Sequence, residues 1–155
     1  MVLSIDDKVP NFSVASTEGT FNLKDYVGKY LVLYFYPKDS TPGCTREGQD
    51  FRDLHADFNK QNAEIFGISR DSVQSHLNFK EKQQFPFALL SDTEQTVCRL
   101  FSVLDETNAI DKNKCSMIRT TFVIDPQGKL VKEWRKVKVD GHAAEVLQFI
   151  TEQTA

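Results

Sequence analysis

Seven consecutive apolar residues, Tyr30-Leu-Val-Leu-Tyr-Phe-Tyr36, constrain this chain more than any other stretch. A half-exposed strand alternates apolar and polar side chains. A strand that is apolar on both faces must be covered on both. The run is far too short to cross a bilayer, so it predicts the central strand of a sheet held between two layers. The rest of the chain alternates strand-like and helix-like patterns around it. Residues 10–22 read as a short strand and turn broken at Gly19, and residues 42–60 as a helix with Phe51, Leu54 and Phe58 on one face. Ala63–Ser69 reads as a second buried strand, and residues 72–84 as a helix with Val73, Leu77 and Lys80 on one side. Phe87–Leu90 is a short strand, and Val97, Leu100, Phe101 and Leu104 form a helical stripe.

A polar connection from Asp105 to Ser116 leads to a hairpin of Thr120–Ile124 and Leu130–Val137 around the turn Asp125-Pro-Gln-Gly128. Asp140 is placed to cap a last helix with Ala143, Val146, Leu147 and Ile150 inward. The class is α/β, a mixed sheet flanked by helices on both faces, and the order is compatible with a thioredoxin-like architecture. The length of 155 residues fits one domain, residues 1–155.

Composition narrows the function. Nineteen basic residues against 22 acidic give a net charge of −3, which argues against a nucleic-acid partner. The first residues carry neither a basic start nor a long apolar region, so a cytoplasmic location without membrane attachment is expected. Three cysteines, Cys44, Cys98 and Cys115, are too few and too scattered for a disulfide scaffold. No Cys-x-x-Cys is present, and His55, His76 and His142 show no ligand spacing with the cysteines, so no metal is expected.

Cys44 stands out by position. Pro42 suits the first position of a helix, which makes Thr41 the N-cap, with its hydroxyl set to accept from the amide of residue 43 or 44. Cys44 then lies in the first turn, where free N–H groups and the helix dipole favour a thiolate. Residues 44, 51 and 58 are seven apart, so the thiol faces the sheet with Phe51 and Phe58, and Gly48 leaves room beside it. Spacing alone does not choose between this reactive thiolate and an inert core cysteine.

The segment Pro37-Lys-Asp-Ser-Thr41-Pro-Gly-Cys44 resembles the peroxiredoxin signature Pro-x-x-x-Thr-x-x-Cys. The longer string Tyr34-Phe-Tyr-Pro-Lys-Asp-Ser-Thr-Pro-Gly-Cys-Thr45 resembles the bacterioferritin comigratory protein, or peroxiredoxin Q, subfamily. The likeness continues through Phe66–Asp71, Leu90–Asp92, Arg119–Asp125 and Trp134–Lys138. It implies a thioredoxin fold and a thiol-dependent peroxidase of hydrogen peroxide and alkyl hydroperoxides, with no metal or organic cofactor. It implies Cys44 as the peroxidatic cysteine, cycling through a sulfenic acid. It implies Thr41 as hydrogen-bonding thiolate and peroxide, Pro37 as shaping and shielding the site, and Arg119 as stabilising the thiolate and the leaving oxygen.

The subfamily's usual resolving positions correspond to Gln49 and Lys80, and neither is cysteine. Cys115, four residues before Arg119, and Cys98, beside the apolar stripe and expected to be half-buried packing, are the remaining candidates. The expectation is therefore a one-cysteine cycle reduced by an external thiol: thioredoxin, glutaredoxin or glutathione. The resemblance also implies a monomer, or at most a weak homodimer. A redox relay to a partner protein is the alternative within the same chemistry, and a thioredoxin-fold holdase the alternative outside it. His55 and His76 are expected at a helix surface or half-buried, His142 as structural, and the run Lys132–Lys138 as a half-exposed strand with a solvated face.

Overall fold

The apolar run forms β3 (Tyr30–Phe35), and its residues are split between two cores. Leu31, Leu33 and Phe35 point to one side, and Val32, Tyr34 and Tyr36 to the other. The computed structural model describes residues 3–107 and 115–155. In chain order the other elements are β1 (Ser13–Ser16), β2 (Gly19–Asn22), a 3-10 turn (Leu23–Tyr26), α1 (Pro42–Lys60), β4 (Ala63–Ser69), α2 (Val73–Gln83) and β5 (Leu89–Ser91). These are followed by α3 (Thr96–Leu100), β6 (Leu104–Asp105), β7 (Ser116–Met117), β8 (Thr120–Ile124), β9 (Leu130–Arg135) and α4 (His142–Thr154).

One sheet runs β2-β1-β5-β4-β3-β8-β9, and β6 pairs with β7 apart from it. β3, β4 and β5 are parallel, whereas β8 lies antiparallel to β3 with Phe35 opposite Thr120 and Leu31 opposite Ile124. The sheet is mixed, as expected. Its two faces are covered unequally. Phe51 and Phe58 of α1, Phe79 of α2, and Val146 and Ile150 of α4 fill one side. The other is closed by Val97, Cys98 and Phe101 around the short α3, by Leu23, and by Leu3 and Val9 of the N-terminal segment. Each fully buried Phe or Leu contributes roughly 1.5–3 kcal/mol, so both layers carry the fold. No described helix is long and apolar enough to cross a membrane.

Three local expectations are corrected. α2 turns His76 and Phe79 inward and leaves Leu77 40 % exposed, so the face of Val73, Leu77 and Lys80 is not the core face. Short apolar residues on both sides of a helix leave its rotation open; here the aromatic ring and the buried polar bonds of His76 decide it. The Val97-to-Leu104 stripe is cut short. α3 ends at Leu100, Ser102 turns left-handed, and Leu104 belongs to β6. Gly141, not Asp140, holds the N-cap position of α4, with a left-handed backbone and no side-chain cap. The expected polar connection from Asp105 to Ser116 lies mostly at residues 108–114, outside the described residues.

Candidate active site

The site is built where β3 ends. Tyr36 keeps the sheet register through its amide, which donates to the Ile68 carbonyl at 3.0 Å. The chain then turns through Pro37, which is exposed, and Asp39, which is buried. Ser40 takes a left-handed conformation (φ 64°), and Thr41 is extended. Pro42 opens α1, and the Thr41 carbonyl accepts its first helical bond from the Thr45 amide at 2.8 Å. The Thr41 hydroxyl does not cap the helix as expected. It donates to the Lys38 carbonyl at 2.8 Å and so closes the loop upon itself.

Cys44 sits in the first turn of α1 and is 1 % exposed. Arg119 reaches it from the far side of the sequence. Because β8 runs antiparallel to β3 and pairs Thr120 with Phe35, residue 119 falls just beyond the end of β3. The Arg119 backbone is fixed there by the Val137 amide, which donates to its carbonyl at 3.0 Å. Its Nη2 donates to Cys44 Sγ at 3.4 Å, and its Nη1 donates to Glu47 Oε1 at 2.7 Å. Gly43 permits this approach, since a Cβ there would stand 3.2 Å from Nη2. Burial works against the guanidinium charge, but charge interaction and hydrogen bonding with Glu47 and Cys44 outweigh it and hold Arg119 above its ordinary value.

Glu47 is the functional residue that the sequence reading missed. It lies three residues after Cys44, on the inward side of α1, with its carboxyl 1 % exposed. A charged residue beside Cys44, Gly48 and Phe51 on a buried helix face was the available signal. Burial pushes its carboxyl from 4.5 up to about 7, with Asp50 adding to the shift and Arg119 only partly offsetting it. Its Oε2 and the Tyr34 hydroxyl are the buried side-chain polar atoms without a partner among the described residues.

The folded chain thus holds the Glu47 proton more tightly than the unfolded chain. The associated stability is complete below pH 4.5 and is lost as pH rises through about 7. Glu47→Gln is expected to remove that slope, so that the gap in stability between variant and wild type changes by about 2–3 kcal/mol across this window. Urea unfolding at a series of pH values measures it, and a gap that does not move with pH would exclude the assignment.

The other cysteines occupy different ground. Cys98 is fully buried, not half-buried, and belongs to the core on the opposite side of the sheet from Cys44. Burial, together with the charge and hydrogen bond of Asp92, raises its thiol far above the ordinary range. Cys115 is 2 % exposed, and its carbonyl accepts from Arg70 Nη1 at 2.7 Å. None of the three cysteines is in a disulfide. Gln49 and Lys80 are tied down: Gln49 Nε2 donates to Gln83 Oε1 at 2.9 Å, and Lys80 Nζ to the Phe87 carbonyl at 3.0 Å.

His142 is buried edge-on to Phe51 and Trp134, and burial, with the Arg119 charge, pushes it down to about 4. It is neutral near neutral pH and pairs through Nε2 with the Thr121 hydroxyl at 2.8 Å. His76, expected at a helix surface or half-buried, is fully buried, and His55 is half-buried as expected. Much of the Lys132–Lys138 run is engaged: Lys132 lies over the Trp134 ring at 5.4 Å, and Arg135 donates to the Phe101 and Ser102 carbonyls. A mostly apolar cleft of about 270 Å³ lined by Leu23, Tyr26, Leu31 and Ile124 lies at the start of β3 and has no cysteine in its lining.

A mixed sheet with a cysteine at a helix start, gripped by a guanidinium from the neighbouring strand, defines a thiol-based oxidoreductase on a thioredoxin-like fold. The AhpC/TSA family model matches residues 5–133. Peroxiredoxin Bcp of Bacillus subtilis (strain 168) is 46 % identical over 155 residues, 99 % of each chain. Peroxiredoxin Bcp of Xanthomonas campestris is 53 % identical over 125 residues, 81 % of this chain and 78 % of that one. A solved structure of the Xanthomonas campestris bacterioferritin comigratory protein, described for its alkyl peroxide reduction activity, superposes with a TM-score of 0.90 at 44 % identity. It covers 99 % of this chain and 98 % of that one. The chain belongs to the AhpC/TSA family and is a peroxiredoxin, a cysteine-dependent peroxidase.

Proposed function

We propose that Cys44 is the peroxidatic residue and that the chain reduces hydrogen peroxide and small alkyl hydroperoxides in a one-cysteine cycle. The observation that carries this reading is the Arg119 fork, with one nitrogen on Cys44 Sγ and the other on Glu47. A thiolate attacking a peroxide passes negative charge from sulfur to the departing oxygen. A guanidinium held at the sulfur lies where both charges can be stabilised. The thiolate sulfur bonds one peroxide oxygen, the O–O bond breaks, and the other oxygen leaves as water or alcohol after gaining a proton. Sulfur is oxidised by two electrons to the sulfenic acid as the peroxide is reduced. Thr41, at the N-cap of α1, is assigned to hydrogen-bond the peroxide once its hydroxyl leaves the Lys38 carbonyl, and Pro37 to shape the mouth of the site.

One external thiol then condenses with the sulfenic acid, giving a mixed disulfide and water. A second thiol displaces it, restoring Cys44 and forming the donor's disulfide. Glutathione, glutaredoxin and thioredoxin all supply such thiols. The opposite-face position and raised thiol of Cys98, and the absence of cysteine at positions 49 and 80, support external reduction over an internal pair. The reading places the chain in the cytoplasm, as a single domain that is monomeric or weakly dimeric.

One equivalent of peroxide followed by a single equivalent of glutathione and an acid quench, with peptide mapping by mass spectrometry, tests the cycle. A Cys44–glutathione adduct as the dominant product is expected. A Cys44–Cys115 or Cys44–Cys98 bond within one chain as the main product would replace the one-cysteine cycle with a two-cysteine one.

A further inference from the structure

The loop that delivers Cys44 is fastened from within by a buried polar network that the chemistry above does not use. Asp39 lies between Pro37 and Thr41, yet its side chain turns inward and is 3 % exposed. Its Oδ1 accepts from the Tyr36 hydroxyl at 2.6 Å. Its Oδ2 accepts from the Ser75 hydroxyl at 2.8 Å and faces His76 Nδ1 at 2.7 Å. The Asp39 amide donates to Asp71 Oδ2 at 2.9 Å, an oxygen that also accepts from the Ser69 hydroxyl at 2.6 Å. His76 is fully buried on α2, and its Nε2 stands 2.8 Å from the Leu90 carbonyl.

A carbonyl only accepts, so Nε2 carries a hydrogen. One further proton lies between Nδ1 and Oδ2, and the pair is neutral overall on whichever atom that proton rests. Asp39, Asp71 and His76 are close enough together to suggest a cation site. Both ring nitrogens of His76 are already engaged, however, and the cluster is satisfied without an ion.

We infer that Asp39 and His76 are positioning residues for Cys44: their buried pair latches the 37–41 loop to α2 and holds the thiol in its peroxide-reactive place. The inference rests on the peroxidase reading above. Two features make the latch consequential. The residue after Asp39, Ser40, is a non-glycine residue with a left-handed backbone, a conformation that persists only where its surroundings impose it. The bonds of Asp39 on one side and the Thr41–Lys38 bond on the other supply that constraint. Cys44 Sγ is also almost sealed, which suits a small peroxide but not a bulky thiol. The turn must therefore grip sulfur during oxidation and release it for reduction, and the strength of the latch sets the balance between the two. The network reaches α2 and the ends of β4 and β5, so release of the loop breaks bonds to all three.

The test measures two rates on Cys44 that a latch moves in opposite directions. Oxidation by hydrogen peroxide is followed by stopped flow, and alkylation by a bulky maleimide by peptide mapping. In Asp39→Ala, oxidation is expected to slow by about 30-fold, because small misplacement of reacting atoms is costly, while alkylation speeds up by roughly tenfold as the turn opens. Asp39→Asn is expected to stay within about threefold of wild type on both rates, since its amide donates to a neutral Nδ1 in the same geometry. His76→Gln keeps most of the side-chain volume but does not span Asp39 and Leu90, and it should behave as Asp39→Ala; it carries the test if Asp39→Ala does not fold. Leu147→Ala on α4 serves as a destabilised control.

Opposed shifts in Asp39→Ala or His76→Gln, absent from the control, support the latch. Unchanged rates, parallel shifts, the control's pattern, or an Asp39→Asn variant as impaired as Asp39→Ala would overturn it. If wild type itself fails to react with peroxide, the peroxidase reading falls, and the alkylation rates alone decide the latch.

Discussion

Cys44→Ser is expected to stop peroxide consumption, with turnover in the presence of dithiothreitol falling at least ~10⁴-fold, or ~5.5 kcal/mol of transition-state stabilisation. The argument is chemical. A serine hydroxyl at this position keeps the helix start and nearly the same volume, but it does not ionise near neutral pH and is a poor nucleophile toward oxygen. The neighbours that grip sulfur, Arg119 above all, remain in place and gain no thiolate to act on. Cys98 does not substitute for it, because it lies in the core on the other side of the sheet and its surroundings hold it as a thiol. Ferrous-oxidation assay of residual peroxide measures the loss. A variant retaining a tenth of the wild-type rate would show that Cys44 is not the reacting group.

The second large effect belongs to Arg119. Arg119→Gln is expected to lower the rate constant for oxidation of Cys44 by roughly 10²–10³, the range found when a preorganised donor to a developing anion is removed. The loss has two sources. Nη2 no longer supports the sulfur, and Glu47 loses the partner that accounts for its one hydrogen bond, so its buried carboxyl holds its proton more tightly still and a further polar atom beside the thiol is left unpartnered. Arg119→Lys should fall between, since one ammonium does not reproduce the planar fork that reaches Sγ and Oε1 together. Stopped-flow oxidation measures the rate. Alkylation of Cys44 by iodoacetamide in each variant confirms that the thiol is still reachable. A glutamine variant within threefold of wild type would remove Arg119 from the chemistry.

The architecture was largely legible because its main signals are local. The doubly apolar run of β3, the proline at the start of α1 and the Asp125–Gly128 turn each encode their own element. Rotation and partner choice were less legible, because they depend on residues far apart in sequence. Nothing near His76 indicates that its ring meets Asp39, 37 residues earlier, so Leu77 looked like a better core residue than it is. Arg119 alone reads as an ordinary surface arginine. Only its likeness to a known signature pointed inward, and the β3–β8 register supplies the reason. Glu47 was within reach of pattern reasoning, being one turn from Cys44 on the same helix face. The Thr41 hydroxyl was misassigned because the turn after β3, which cap patterns do not encode, brings the Lys38 carbonyl to 2.8 Å and the hydroxyl donates there.

The pairing of Phe35 with Thr120 has a consequence for biosynthesis. Sulfur and guanidinium are 75 positions apart, so a ribosome that has released the first helix has yet to make the residue proposed to activate it. Until the later strand docks, the emerging polypeptide carries Cys44 without its guanidinium partner. On the proposed role of Arg119, full reactivity arrives with completion of the sheet, which makes tertiary closure itself the safeguard on a hazardous group.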